Sequence, residues 1–244
     1  METASRPDYE LTAARFALLS RLADDLAHEV KNPLHAMVIN LEVLRRRVAS
    51  SDAAGALERA AVVEHEIRRV HDIVDQLLRL LRPDPEGEAP VEPDDVLAEI
   101  VPLLDLRARL ARVPFQYLPC GPGCPVRSPP AALKFAVLHL TEPLIRDAAA
   151  RGAGIAMTGS ADAADVTLRI VARDGRPGQE TESAAPGTPS SEAGPRLDLA
   201  RRLLADVGGR VTRDPVTDPA VTHSFTIVLP RSAMLDPSSG GGIP

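Results

Sequence analysis

The chain has no tryptophan, two tyrosines and four phenylalanines among its 244 residues, which leaves few flat rings for stacking on bases. Neither sign of charge dominates: 28 basic against 34 acidic side chains give a formal net charge of −6, which argues against a surface built to follow a phosphate backbone. Arg45, Arg46 and Arg47 form a short basic run, and at the end of a helical pattern they read as solvated surface. No apolar run approaches the roughly 20 residues needed to cross a bilayer, and residues 1–10 lack the apolar core of a signal peptide. These absences lead to the expectation of a cytoplasmic chain with no membrane span and no nucleic-acid partner. Only about ten residues precede the first helical pattern, so no sensor domain is expected ahead of it. Cysteine is equally scarce. Cys120 and Cys124 bracket Gly121-Pro122-Gly123 with no second pair of ligands to complete a metal site. No metal is assigned, and both read as free thiols on either side of a Gly/Pro turn.

What the chain does have is helical periodicity. Leu19, Leu22, Leu26, Val30, Leu34, Met37, Leu41, Leu44 and Val48 recur at steps of three and four, one apolar stripe on a helix over residues 11–48. Ser50-Ser51-Asp52 breaks the pattern. A second stripe follows, with Ala60, Val63, Ile67, Val70, Val74, Leu77 and Leu81. A connection this short forces an antiparallel hairpin. One partner helix buries neither stripe fully, so two copies of the hairpin closing a four-helix bundle are expected, making a homodimer.

Within the first helix, His28 falls between Leu26 and Val30, off the apolar stripe and on a face turned to water. Glu29 is its neighbour, and Asn32 lies one turn on, stacked on the His28 side. Pro33 follows in a helix interior, where it removes a backbone hydrogen bond and is expected to bend the rod. Imidazole is partly neutral and nucleophilic near pH 7, an adjacent carboxylate polarises it, and an exposed ring can meet a phosphoryl group in line. A lone exposed histidine is ordinary surface, as His65 and His71 are read to be. His28-Glu29-Val30-Lys31-Asn32-Pro33-Leu34, however, resembles the phosphoacceptor motif of sensor histidine kinases, His-Glu-x-x-Asn-Pro-Leu. The resemblance implies that His28 carries a phosphoryl group, that Glu29 takes its proton, and that Asn32 positions a water able to remove phosphate from a partner.

Beyond residue 82 the pattern changes. Residues 83–90 read as a linker of proline, glycine and acids. Residues 93–110 read as one helix with Pro93 in its first turn, residues 115–118 and 125–127 as short strands, and residues 131–150 as a helix interrupted by Pro143. Residues 154–158 and 165–172 read as a hairpin, residues 174–193 as a mobile loop, and residues 197–207 as a helix ended by Gly208-Gly209. Strands at 210–213 and 224–229 complete the sheet. Residues 233–244 read as a disordered tail.

This order, with Leu197-Asp198-Leu199-Ala200-Arg201-Arg202-Leu203-Leu204 and Ser224-Phe225-Thr226-Ile227-Val228-Leu229-Pro230, is similar to the ATP-binding domain that follows the hairpin in histidine kinases. The fold expected is α+β: a flexible start (1–10), a phosphoacceptor hairpin (11–82), the linker, and an α/β sandwich of the histidine-kinase ATPase type (91–232). The resemblance implies ATP and Mg²⁺ at Asp147, Asp174, Gly178 and Arg196. It also exposes departures. Asp147 stands where the family's magnesium helix has Asn, with Pro143 a turn earlier. Arg176 replaces the first glycine of Asp-x-Gly-x-Gly, crowding a backbone that must approach the base. Pro195 offers no N–H to a phosphate, and Arg196 replaces a glycine at a helix start. Glu180, Glu182 and Glu192 add charge unfavourable to a triphosphate. Three functions stay open: a relay exchanging phosphate between His28 and the Asp of a response-regulator receiver with little or no ATP binding, an ATP-dependent kinase, or a scaffold without chemistry.

Overall fold

The structure, a computed structural model, describes residues 6–81, 89–174 and 193–232. It divides into two compact units, Met1–Arg82 and Pro83–Pro244. The linker expected at 83–90 falls mostly outside the described residues, and the loop over 175–192 and the tail from 233 fall wholly outside them.

The first unit is a helical hairpin, α1 (Arg6–Ala49) and α2 (Ala53–Leu81). The turn between them is set by local chemistry. Ser51 takes a left-handed φ of 58°, and Asp52 caps α2 by accepting a hydrogen bond from the Gly55 N–H at 3.0 Å. Asp52 also takes Arg47 Nη1 at 2.5 Å. The cap, with Arg47 adding to it, holds the Asp52 carboxyl below the usual carboxylate range. Leu18, Leu22 and Leu26 of α1 and Ala56, Val63 and Ile73 of α2 are buried, so the intrachain seam uses Leu18 rather than the Leu19 of the sequence stripe. Part of the stripes is not covered within the chain: Leu34, Leu41 and Val48 of α1 and Ile67 and Val74 of α2 are exposed, as is the neighbouring Leu78, while Val30, Met37, Leu44, Ala60 and Val70 are half-buried.

The second unit is a two-layer sandwich. Its helices are α3 (Pro93–Ala98), α4 (Val101–Leu110), α5 (Pro130–Arg151) and α6 (Ala193–Ala205). Its strands are β1 (Phe115–Leu118), β2 (Ala153–Ala161), β3 (Asp165–Asp174), β4 (Arg210–Arg213) and β5 (Val221–Pro230). The sheet order is β1-β2-β3-β5-β4, with β1 parallel to β2 and all other pairs antiparallel. Ile155, Met157, Val166, Leu168, Ile170, Phe225 and Ile227 are buried beneath the helices, while Thr158, Ser160 and Arg169 on alternate positions are exposed, the period-two pattern of a sheet covered on one face. The α+β architecture expected from the sequence is the one observed.

Three expectations are corrected. Residues 93–110 are two helices, not one, because Pro102 has no N–H to bond the Ala98 carbonyl four residues back. Residues 125–127 form no strand: Val126 makes isolated bridges to Val91 and Arg231. Pro143 does not interrupt α5, which runs unbroken for 22 residues. Burial of Val137, Leu138, Leu140, Leu144 and Ile145 along that helix outweighs the single lost backbone bond, an override of local preference by packing. α6 also begins four residues ahead of the 197 expected, and Gly208 at φ 71° ends its run as foreseen.

Candidate functional site

α1 passes through the motif without a break, Pro33 included. Pro33 is buried, and having no N–H it leaves the Glu29 carbonyl without its helical partner. His28 is exposed, as its offset from the stripe required. Its Nδ1 lies 2.9 Å from the Asp24 carbonyl oxygen. A carbonyl only accepts, so Nδ1 carries the proton and donates it. In the neutral ring the lone pair is then on Nε2. The backbone one turn back thus selects the tautomer and leaves the outer nitrogen available as a nucleophile.

Glu29 is half-buried and is not directed at His28 by any contact among the described residues. It pairs with Arg69 of α2, Nη2 to Oε2 at 3.4 Å, and Arg69 also reaches Glu66 at 3.8 Å. Asn32 is exposed one turn beyond His28. Lys31, Asn32, Leu34, His35 and Val38 line an open groove of about 550 Å³ along the same helix. Arg69 was missed in the sequence, although a signal existed. An antiparallel hairpin sets residues at similar separations from its turn near each other, and Glu29–Arg69 and Asn40–Arg59, the latter at 3.4 Å, follow that pattern with an offset of up to one helical turn.

The residues expected to hold nucleotide lie in the second unit. Asp147, in the last turns of α5, has Arg151 Nε at 3.4 Å and His223 Nδ1 at 3.5 Å from its Oδ2. His223 pairs in register with Ala172 of β3, and Asp174 ends that strand with its N–H bonded to Ala220 O at 2.8 Å. Asp147 and Asp174 therefore occupy one corner of the unit. Burial lowers the His223 pKa, with Arg213 and Arg151 acting the same way and Asp147 opposing them. Arg196 sits in the first turns of α6, half-buried. Gly178, like Arg176, lies outside the described residues. Asp147 is already committed to a guanidinium and an imidazole, and Pro195 removes a donor from the first turn of α6.

Ion pairs that sequence reading did not find brace this unit, with Arg107, Glu142 and Lys134 largely withdrawn from water. Arg107 of α4 grips Glu142 of α5 through Nε at 3.1 Å and Nη2 at 3.3 Å. Lys134, only 3% exposed, meets Glu99 at 2.7 Å.

Residues 18–86 match the His Kinase A (phospho-acceptor) domain. Sporulation kinase D of Bacillus subtilis (strain 168) is 28% identical over 111 residues, 45% of this chain and 21% of that protein, so the match spans about a fifth of this curated relative. The nucleotide-free catalytic domain of the histidine kinase ThkA is similar at TM-score 0.44 and 12% identity, covering 60% of this chain and 97% of that one. ThkA in complex with the response regulator protein TrrA is similar at TM-score 0.46 and 16% identity, covering 95% of this chain and 68% of that one.

Proposed function

We propose that this chain is a histidine kinase-type signalling protein, a reading supported by the phospho-acceptor match over residues 18–86, and that it is a phosphorelay component in which His28 exchanges phosphate with the aspartate of a response-regulator receiver. The observation that carries the reading is the exposed His28 ring, pinned by its Nδ1–H to the Asp24 carbonyl, with no contact to Nε2 among the described residues. Nε2 attacks the phosphorus of the receiver's aspartyl phosphate. A P–N bond forms, the P–O bond to the carboxylate breaks, and the ring becomes a phosphoimidazolium. Its remaining proton stays on Nδ1, shared with Asp24 O. The Glu29 carboxylate, held in place by Arg69, offsets the charge that develops on the ring. Asn32, exposed one turn away, orients the water that would instead release phosphate from the receiver. The open groove at Lys31–Val38 is the surface against which the receiver docks.

The nucleotide site is read as lost, supported by the commitments of Asp147 and by Pro195 and Arg196 at the start of α6. Phosphate then comes from a receiver or from another kinase. The exposed apolar positions of α1 and α2 support a homodimer that closes a four-helix bundle.

Incubation with a radiolabelled phospho-receiver is expected to label the chain, and His28→Ala to abolish the label. Label that survives His28→Ala would overturn the assignment of His28. Titration with a fluorescent ATP analogue and Mg²⁺ is expected to show no binding up to millimolar nucleotide. Micromolar binding would favour the ATP-dependent kinase in its place.

A further inference from the structure

The relay chemistry makes no use of the two cysteines, which lie in the loop after β1. Cys120 is half-buried and Cys124 buried, both as free thiols. Their Sγ atoms are 3.2 Å apart, against about 2.05 Å for a disulfide, so roughly 1 Å of closure would join them. Gly121 at φ 89° and Gly123 at φ 81° flank Pro122 between them and give the loop backbone freedom that other residues lack. The loop is held at its base by Asp94. That carboxylate accepts the N–H groups of Cys120 at 3.2 Å and Gly121 at 2.8 Å, and the Cys120 thiol at 3.3 Å. The Tyr117 hydroxyl bonds the same carboxylate. Cys120 is pressed against β2, where a Cβ on Gly159 would come within 2.6 Å of the Cys120 nitrogen. Cys124 donates its N–H to Glu92 at 3.1 Å and its thiol to Gly121 O at 2.9 Å.

We propose that Cys120 and Cys124 are a reversible dithiol–disulfide modification site that exchanges with low-molecular-weight disulfides of the glutathione class. The half-buried Cys120 is the entry point. Its sulfur attacks one sulfur of the oxidant, that S–S bond breaks, and one thiol leaves carrying the proton Cys120 gave up. Cys124, shielded from the oxidant, then attacks the Cys120 sulfur of the mixed disulfide. The second thiol leaves with the Cys124 proton. Two electrons pass from the cysteine pair to the oxidant, and the Cys120–Cys124 bond remains. Burial, the Cys124 contact and Asp94 all push the Cys120 thiol up. Exchange is therefore slow at neutral pH and rises with the thiolate fraction, about tenfold per pH unit.

The test treats the full chain with glutathione disulfide across pH 7 to 9 and follows intact mass and free thiols. Both thiols are expected to disappear together with a net loss of two hydrogens, and dithiothreitol should restore them. Cys124→Ser should instead accumulate a stable glutathione adduct on Cys120, while Cys120→Ser should leave Cys124 unreacted. Asp94→Asn, checked for folding by circular dichroism, should speed the reaction severalfold at neutral pH by removing the negative charge. A glutathione adduct persisting on the wild-type chain, a disulfide between two copies, or thiols that stay free in both wild type and Asp94→Asn would each overturn the proposal.

Discussion

Individual side chains in this protein are set by neighbours that sequence adjacency does not reveal. Glu29 stands beside His28 in the chain, yet its partner is Arg69, forty positions away. No contact joins Glu29 to His28 among the described residues. His223 is the clearest titrating case. Its folded pKa lies below the ordinary 6.5, chiefly through burial, so the unfolded chain binds the proton more readily. The stability this gives the neutral ring is fully present above 6.5 and is lost as pH falls through and below that value. Denaturant midpoints measured at about pH 7.5 and about pH 5.5 should fall further in the wild type than in His223→Gln, which has no ring to protonate. Equal drops in the two proteins would remove His223 from the acid response.

Among the elements, α5 shows how packing and polar burial share the work. Pro143 would be expected to break an isolated helix, but the apolar neighbours of α5 keep it whole, and the Arg107–Glu142 fork ties it to α4. Both side chains are largely withdrawn from water, at 13% and 8% exposure, so removing one strands the other. Arg107→Ala should destabilise the second unit by about 3–5 kcal/mol, read as a shift in its denaturation midpoint. The double change Arg107→Met with Glu142→Leu should recover most of that loss, because it leaves no buried charge behind. A loss in the double variant equal to that of Arg107→Ala would show that the cost comes from packing rather than from the orphaned carboxylate.

For the whole molecule, the hairpin is the part whose apolar surface is not yet accounted for within one chain. Leu34, Leu41 and Val48 recur every seven residues, as do Ile67 and Val74, the spacing of a seam between supercoiled helices. Each such side chain buried against a second copy contributes on the order of 1.5–3 kcal/mol. Leu41→Glu together with Val74→Glu should halve the mass seen by light scattering while leaving the melting of the second unit unchanged. A wild-type chain already monomeric at high concentration would remove the dimer from the account.

Short-range chemistry is legible in the sequence by itself. The helical periods, the break at residues 50–52, the β2–β3 hairpin and the outward face of His28 all follow from residues a few positions apart, where backbone geometry alone decides which side chains share a face. What needed the tertiary structure was every pairing across elements: Glu29 with Arg69, Arg107 with Glu142, Asp147 with His223, and Asp94 with the Cys120 loop. The same holds for the survival of α5 through its proline and for the division of residues 93–110. Those outcomes depend on burial, which sets both the worth of an ion pair and the cost of a missing hydrogen bond, and burial is a property of the packed chain rather than of any stretch of it.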